Sequence, residues 1–164
     1  MGNVFGAGER RMYLSNGGTE VFVDVLTLAA SELAEEPWEL RFAALLTWQN
    51  QDVMGRGNVG FDLDEIAWGA TPGERARARD FVLRVTALAL RRHRWDELGY
   101  EPPFAPRYLR EFASMVAYFD PPDAPSPDDG FPSPDEGAVA SCVRHRLLSA
   151  LPHWDGCLFC TRLD

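Results

Sequence analysis

Apolar residues recur along the middle of this chain at the spacing of a helix face. Phe22, Val25, Leu26, Ala29, Ala30 and Leu33 fall at i, i+3, i+4, i+7, i+8 and i+11, the positions that line one side of a 3.6-residue helix. A first helix is therefore expected from Thr19. Pro37 suits the first turn of a second, whose stripe is Trp38, Phe42, Leu45, Leu46, Gln49 and Val53, because its missing N–H costs nothing there. The stretch GRGNVG ends that helix. Asp62 with Glu65 three residues on resembles a capping box, and Gly69 can close a short helix after Trp68. TPGE is a better start: Thr71 caps, Pro72 takes the first helical position and Glu74 reaches back to the cap. This helix should run to about Arg92, with Ala78, Phe81, Val82, Val85, Leu88 and Ala89 inward. WDELGYEPPFAP reads as a loop. Tyr108, Leu109, Phe112, Met115, Val116 and Phe119 make a last stripe, stopped by Pro121 and Pro122.

The flanks differ in kind. Gly2, Gly6, Gly8, Gly17 and Gly18 make residues 1–18 read as an irregular segment. Residues 120–136, DPPDAPSPDDGFPSPDE, hold six of the twelve prolines and six acidic residues, too little apolar area to offset the entropy of ordering them. They read as a Pro/Asp-rich linker or long loop. The expected organisation is an irregular segment 1–18, a helical domain 19–119, the linker 120–136 and a tail 137–164 packed on the helical domain.

The tail carries the chemistry. All three cysteines and two of the three histidines lie in CVRHRLLSALPHWDGCLFC. Cys142 and His145 are spaced C-x2-H, and Cys157 and Cys160 C-x2-C. Such pairs let two side chains of a tight turn face one ion, and a Cys3His shell suits tetrahedral zinc. Gly156 permits the sharp bend before Cys157. His153 is an alternate ligand, since H-x3-C-x2-C is also plausible spacing. A disulfide would leave one cysteine unpaired. Four ligands fill the shell, and between Gly137 and Cys160 the only carboxylate is Asp155, so a structural zinc is expected and a catalytic one is not. The fold class implied is mainly α: a helical bundle of about five helices, with a small C-terminal zinc-stapled knuckle and β structure confined to a hairpin around the metal.

Composition narrows the function. At 164 residues, with 46% hydrophobic residues, the chain can bury a real core as one domain. Its net charge of −9 opposes general nucleic-acid affinity. All sixteen basic residues are arginines, which removes P-loop and Schiff-base lysine chemistry. No apolar run approaches the ~20 residues that span a bilayer, and MGNVFGAGERRMYL lacks a signal-peptide core, so a cytoplasmic protein without a membrane partner is expected. Asp52, Asp62, Asp64 and Glu65 are candidates for an acidic cleft, and His93 ends a helix in RRHRW. Seven arginines between Arg75 and Arg94 read as a solvated face or, alternatively, a DNA-recognition helix. Trp95 and Trp154 fall in predicted loops, where an indole can anchor a partner. Motifs of hydrolases, zinc proteases and dinucleotide binders are absent.

Cys142, His145, Gly156, Cys157 and Cys160, behind an acidic helical body, give the tail a resemblance to small accessory proteins of actinobacteria, some of them similar to immunity proteins that neutralise polymorphic toxins. The resemblance covers the tail only and implies a structural zinc and a protein partner. The expected function is thus a non-catalytic protein-binding module, with an acidic surface for a basic partner. A small hydrolase-like enzyme and a DNA-binding regulator are the alternatives.

Overall fold

Thr71, Pro72 and Glu74 act as their order dictates. The Thr71 hydroxyl accepts from the Glu74 N–H (3.1 Å), the Glu74 carboxylate accepts from the Thr71 N–H (3.3 Å), and a 19-residue helix follows. The computed structural model of the chain describes residues 3–49, 60–121, 131–142 and 146–149. They form a mainly α fold with four α-helices among them: α1 (Asn16–Leu33), α2 (Pro37–Thr47), α3 (Pro72–Leu90) and α4 (Ala105–Tyr118). All four helical stripes read from the sequence fall on α1 to α4, and the second, which begins at Pro37 as read, is helical to Thr47, with Gln49 after it and Val53 outside the described residues. α1 begins three residues before Thr19, because the Ser15 hydroxyl accepts from the Gly18 N–H and caps it. The short element after Asp62 is a single 3-10 turn, Leu63–Glu65. The Trp68 indole takes the Leu63 carbonyl (2.9 Å) and the chain leaves Ile66 extended, so a fifth α-helix does not form there.

Within the segment read as irregular, residues 3–14 form a hairpin. Strands β1 (Asn3–Ala7) and β2 (Arg10–Leu14) pair antiparallel, with Phe5 opposite Met12. Gly8 turns the hairpin with φ 60°. Gly6 leaves room for the Arg11 side chain, which a Cβ would meet at 2.6 Å. These glycines serve a hairpin, whereas their number suggested disorder. Buried Asn3 ties the hairpin to α1 by donating to the Thr19 hydroxyl (2.7 Å). Phe5 meets Phe22 and Phe61 edge-on, and Phe22 and Phe61 both meet Phe112. The core thus runs from the hairpin through α1 to α4, and α1 touches each other α-helix.

The described residues after 130 belong to this core. Strands β3 (Val139–Cys142) and β4 (Leu147–Ser149) pair antiparallel, and β4 lies on α1 and α2. Phe131, Ala138 and Leu147 are buried. Three polar contacts fasten the segment: Ala138 N–H to the Leu40 carbonyl (2.9 Å), Arg41 Nε to the Pro132 carbonyl (2.6 Å) and Leu148 N–H to the Ser31 hydroxyl (3.0 Å). The last residues of the segment read as a linker or long loop, 120–136, are therefore packed on the helical body. Ser133 caps a 3-10 turn, Pro134–Glu136, that packs on α2, while residues 122–130 lie outside the described residues. Residues 131–142 and 146–149 hold to the helices through apolar burial and hydrogen bonds.

Leu147→Ala should lower global stability by about 2–5 kcal/mol in urea denaturation. An unchanged midpoint would mean that the hairpin folds apart from the helical body.

Candidate functional site

Two helix N-termini frame a groove. At α2, Glu36 and Glu39 form a reciprocal capping box, and at α3 Thr71 and Glu74 do the same. Glu39 Oε1 accepts from the N–H groups of Glu35 and Glu36, both at 3.0 Å. Glu74 Oε2 accepts from those of Ala70 (2.8 Å) and Thr71 (3.3 Å). Helix N-termini ordinarily attract anions through free amides and the dipole. Here the protein's own carboxylates occupy them, so the groove is not built for phosphate.

The groove encloses about 680 Å³, with Trp38, Ala67, Trp68, Ala70 and Ala78 among its lining residues. Trp38 and Trp68 stack with centroids 5.8 Å apart. Neither indole N–H faces a prospective ligand unbonded: Trp38 donates to the Ala67 carbonyl at 2.6 Å and Trp68 to the Leu63 carbonyl at 2.9 Å. Gly69 makes the close approach possible, since at φ 135° a Cβ would stand 2.6 Å from the Glu74 Cβ. The floor is thus apolar and rigid. Glu36, Glu39, Glu74, Arg41 and Arg77 also line the groove. Arg41 is committed to the Pro132 carbonyl and lies 4.8 Å over the Phe131 ring.

The residues singled out from the sequence fare differently. Of the candidate metal ligands, Cys142 ends β3 opposite Leu147; His145, His153, Cys157 and Cys160 lie outside the described residues, as do Asp52 and Trp154. Among the described residues no group of three or more His, Cys, Asp or Glu side chains is placed to hold a metal. Asp62, Asp64 and Glu65 share the 3-10 turn beside Arg11, whose guanidinium is 3.4 Å from Asp62. His93 stands instead 3.9 Å from Glu32 of α1, so it is not paired with that carboxylate group. Trp95 is no exposed anchor: it is 4% exposed and packs in the core. The arginine run is interleaved with acids. Arg84 bonds Asp80 (3.0 Å) and approaches Glu39 (3.8 Å), Arg94 forks onto Glu97, and Arg92 pairs with Glu101. Three of the seven arginines thus have an acidic partner among the described contacts.

Sequence reasoning placed Trp38 on a core stripe and missed the groove. The available signal was that Trp38 follows Pro37 and Trp68 precedes Thr71-Pro72. Both tryptophans therefore sit at helix starts, where a ring can turn away from the mid-helix core.

No protein-family model matches the chain, and no curated protein or solved structure matches it. No helix among the described residues is long and apolar enough to cross a membrane.

Partial burial pushes the Glu65 carboxyl above its ordinary value of 4.5, and the Asp62 and Asp64 carboxylates add to the rise against a hydrogen bond that lowers it. A raised carboxyl pKa means the folded state binds the proton more readily, so this group's contribution to stability falls as pH rises from 4.5 through the raised value. Glu65→Gln should therefore gain more stability over the wild type at about pH 7 than at about pH 4. Equal differences in denaturation at the two pH values would contradict the assignment.

Proposed function

We propose that this chain is a non-catalytic protein-binding module that seats a basic partner protein at the Trp38–Trp68 groove. The observation that carries the reading is the floor itself, in which two stacked indoles have both N–H groups already bonded inside the protein. Such a surface rewards an apolar side chain and offers nothing to a polar one. The rim adds the sign. Three glutamates stand against two arginines, one of which is held by the Pro132 carbonyl, on a chain of net charge −9. Opposite charge speeds the encounter and excludes acidic competitors. A partner segment with an apolar anchor flanked by Lys or Arg fits both features. An inhibitor of a nuclease-like enzyme, whose own groove is built for phosphate, belongs to this class, in line with the immunity-type resemblance of the tail.

The same proposal includes one structural zinc at Cys142, His145, Cys157 and Cys160, with His153 as the alternate imidazole, in a protein that works in the reducing cytoplasm. The donor set supports it, because thiolates with one imidazole favour zinc over hard cations. Zinc held by this set would tie Cys157 and Cys160 to the strand that Cys142 ends.

Ala70 is exposed and lines the groove, so Ala70→Trp fills it while leaving the core alone. Pull-downs from the native host at low salt should retain a basic protein on the wild type, with at least about tenfold weaker retention on Ala70→Trp. Equal retention by both would move the partner off the groove, and failure to retain any basic protein would overturn the binding reading.

Elemental analysis of protein purified without added metal should give about one zinc per chain, lost in Cys157→Ala. Comparing His145→Ala with His153→Ala identifies the imidazole. Metal-free wild type with freely reactive thiols would remove the zinc from the account.

A further inference from the structure

Phe104 is out of place twice. It stands immediately before α4 with φ 60° and ψ 1°, and its side chain caps nothing. Cap positions favour Ser, Thr, Asp or Asn in an extended backbone, and a bulky residue with positive φ is an outlier. The ring is also 65% exposed, one of three large apolar side chains left in solvent among the described residues. Burial does not offset the backbone cost here, and strain of this kind gathers at functional sites.

The neighbours of Phe104 give it a basic flank. The Arg107 guanidinium lies 5.4 Å from the Phe104 ring and 5.4 Å from the Tyr108 ring, and Arg110 is exposed three residues on. Among the described ion pairs neither arginine has a carboxylate. Glu111, the one acid of α4, is half-buried. On a chain of net charge −9 this end of α4 is an apolar ring beside two free cations. The Trp38–Trp68 groove has the complementary form, a floor of stacked indoles with Glu36, Glu39 and Glu74 along it. One chain cannot join the two on itself. Asp120 and Pro121, just after α4, share a pocket with Pro72 and Arg75 at the start of α3, so the two helices run antiparallel. Phe104 is thus at the far end of α3 from the groove, and the 19 residues of α3 make about 28 Å of helix.

We propose that a second copy of this chain inserts Phe104 into the Trp38–Trp68 groove and sets Arg107 and Arg110 against the groove's glutamates. This rests on the reading of the groove given above and adds its regulation, since self-docked copies and the basic partner compete for one seat. The contact joins two different surfaces, so copies add head to tail and do not close as a symmetric pair. The like net charge of the copies does not forbid it. At physiological salt, charges more than about 8 Å apart are largely screened, and the groups at the contact decide.

The test is sedimentation velocity of the full chain from about 1 μM to about 1 mM. The mean mass of the wild type should rise with concentration and pass that of a dimer. Phe104→Gly, which suits a positive φ and so keeps the fold, and Ala70→Trp, which fills the groove, should each self-associate at least about tenfold more weakly. Mixed in equal amounts, the two variants should form a heterodimer that grows no further, because one keeps the groove and the other keeps Phe104. The proposal is overturned by a wild type that stays monomeric, by either variant associating as the wild type does, or by a mixture that stays monomeric. A monomeric wild type that still retains a basic protein in the low-salt pull-down overturns self-docking alone and leaves the proposed function standing.

Discussion

The indole of Trp38 meets four aromatic rings drawn from separate parts of the chain. It stacks on Phe42 of its own helix, on Trp68 before α3 and on Phe131 at 5.7, 5.8 and 5.7 Å, and it meets Phe81 of α3 edge-on at 6.2 Å. Its N–H fixes the ring in its plane through the Ala67 carbonyl. Aromatic pairs of this kind add about 0.5–1.5 kcal/mol each beyond the area they bury. The directional effect matters as much as the energy. With one indole held in place, the start of α2, the approach to α3 and the return of the chain at Phe131 are set relative to one another, and the groove is the space left between them.

The electrostatics of the two helix starts follow from the same junction. Glu39 and Glu74 turn back onto the amides of their own caps, which cancels the positive ends that would otherwise draw an anion. What remains is an apolar floor and an acidic margin. The cleft lined by Arg92 and Glu101 differs, because it carries both signs of charge and Arg92 pairs there with Glu101.

Much of the architecture was legible because three helices announce themselves locally. Thr71, Pro72 and Glu74 write the start of α3, and the stripes from Phe22 and Tyr108 write the buried faces of α1 and α4. The hairpin was hidden because Gly6 and Gly8 signal a breaker unless the pairing of Phe5 with Met12 is known, and that pairing is non-local. Phe131 was hidden by its Pro- and Asp-rich neighbours: composition averages over a window, while a single buried ring is enough to anchor it. Trp95 looked like a loop tryptophan because nothing nearby in sequence shows that the loop folds onto the core. The groove depends on rings 30 residues apart in the chain (Trp38 and Trp68), which no periodicity reveals.

The central claim, that Trp38 joins the groove and the C-terminal hairpin into one cooperative unit, is tested most directly by native-state hydrogen exchange in Trp38→Leu. The account predicts that the Ala138 amide, bonded to Leu40, and the Trp68 indole, bonded to Leu63, lose protection together and by the same factor. Loss of protection at Trp68 with Ala138 unchanged would contradict it, and would make the groove and the hairpin independent attachments to α1.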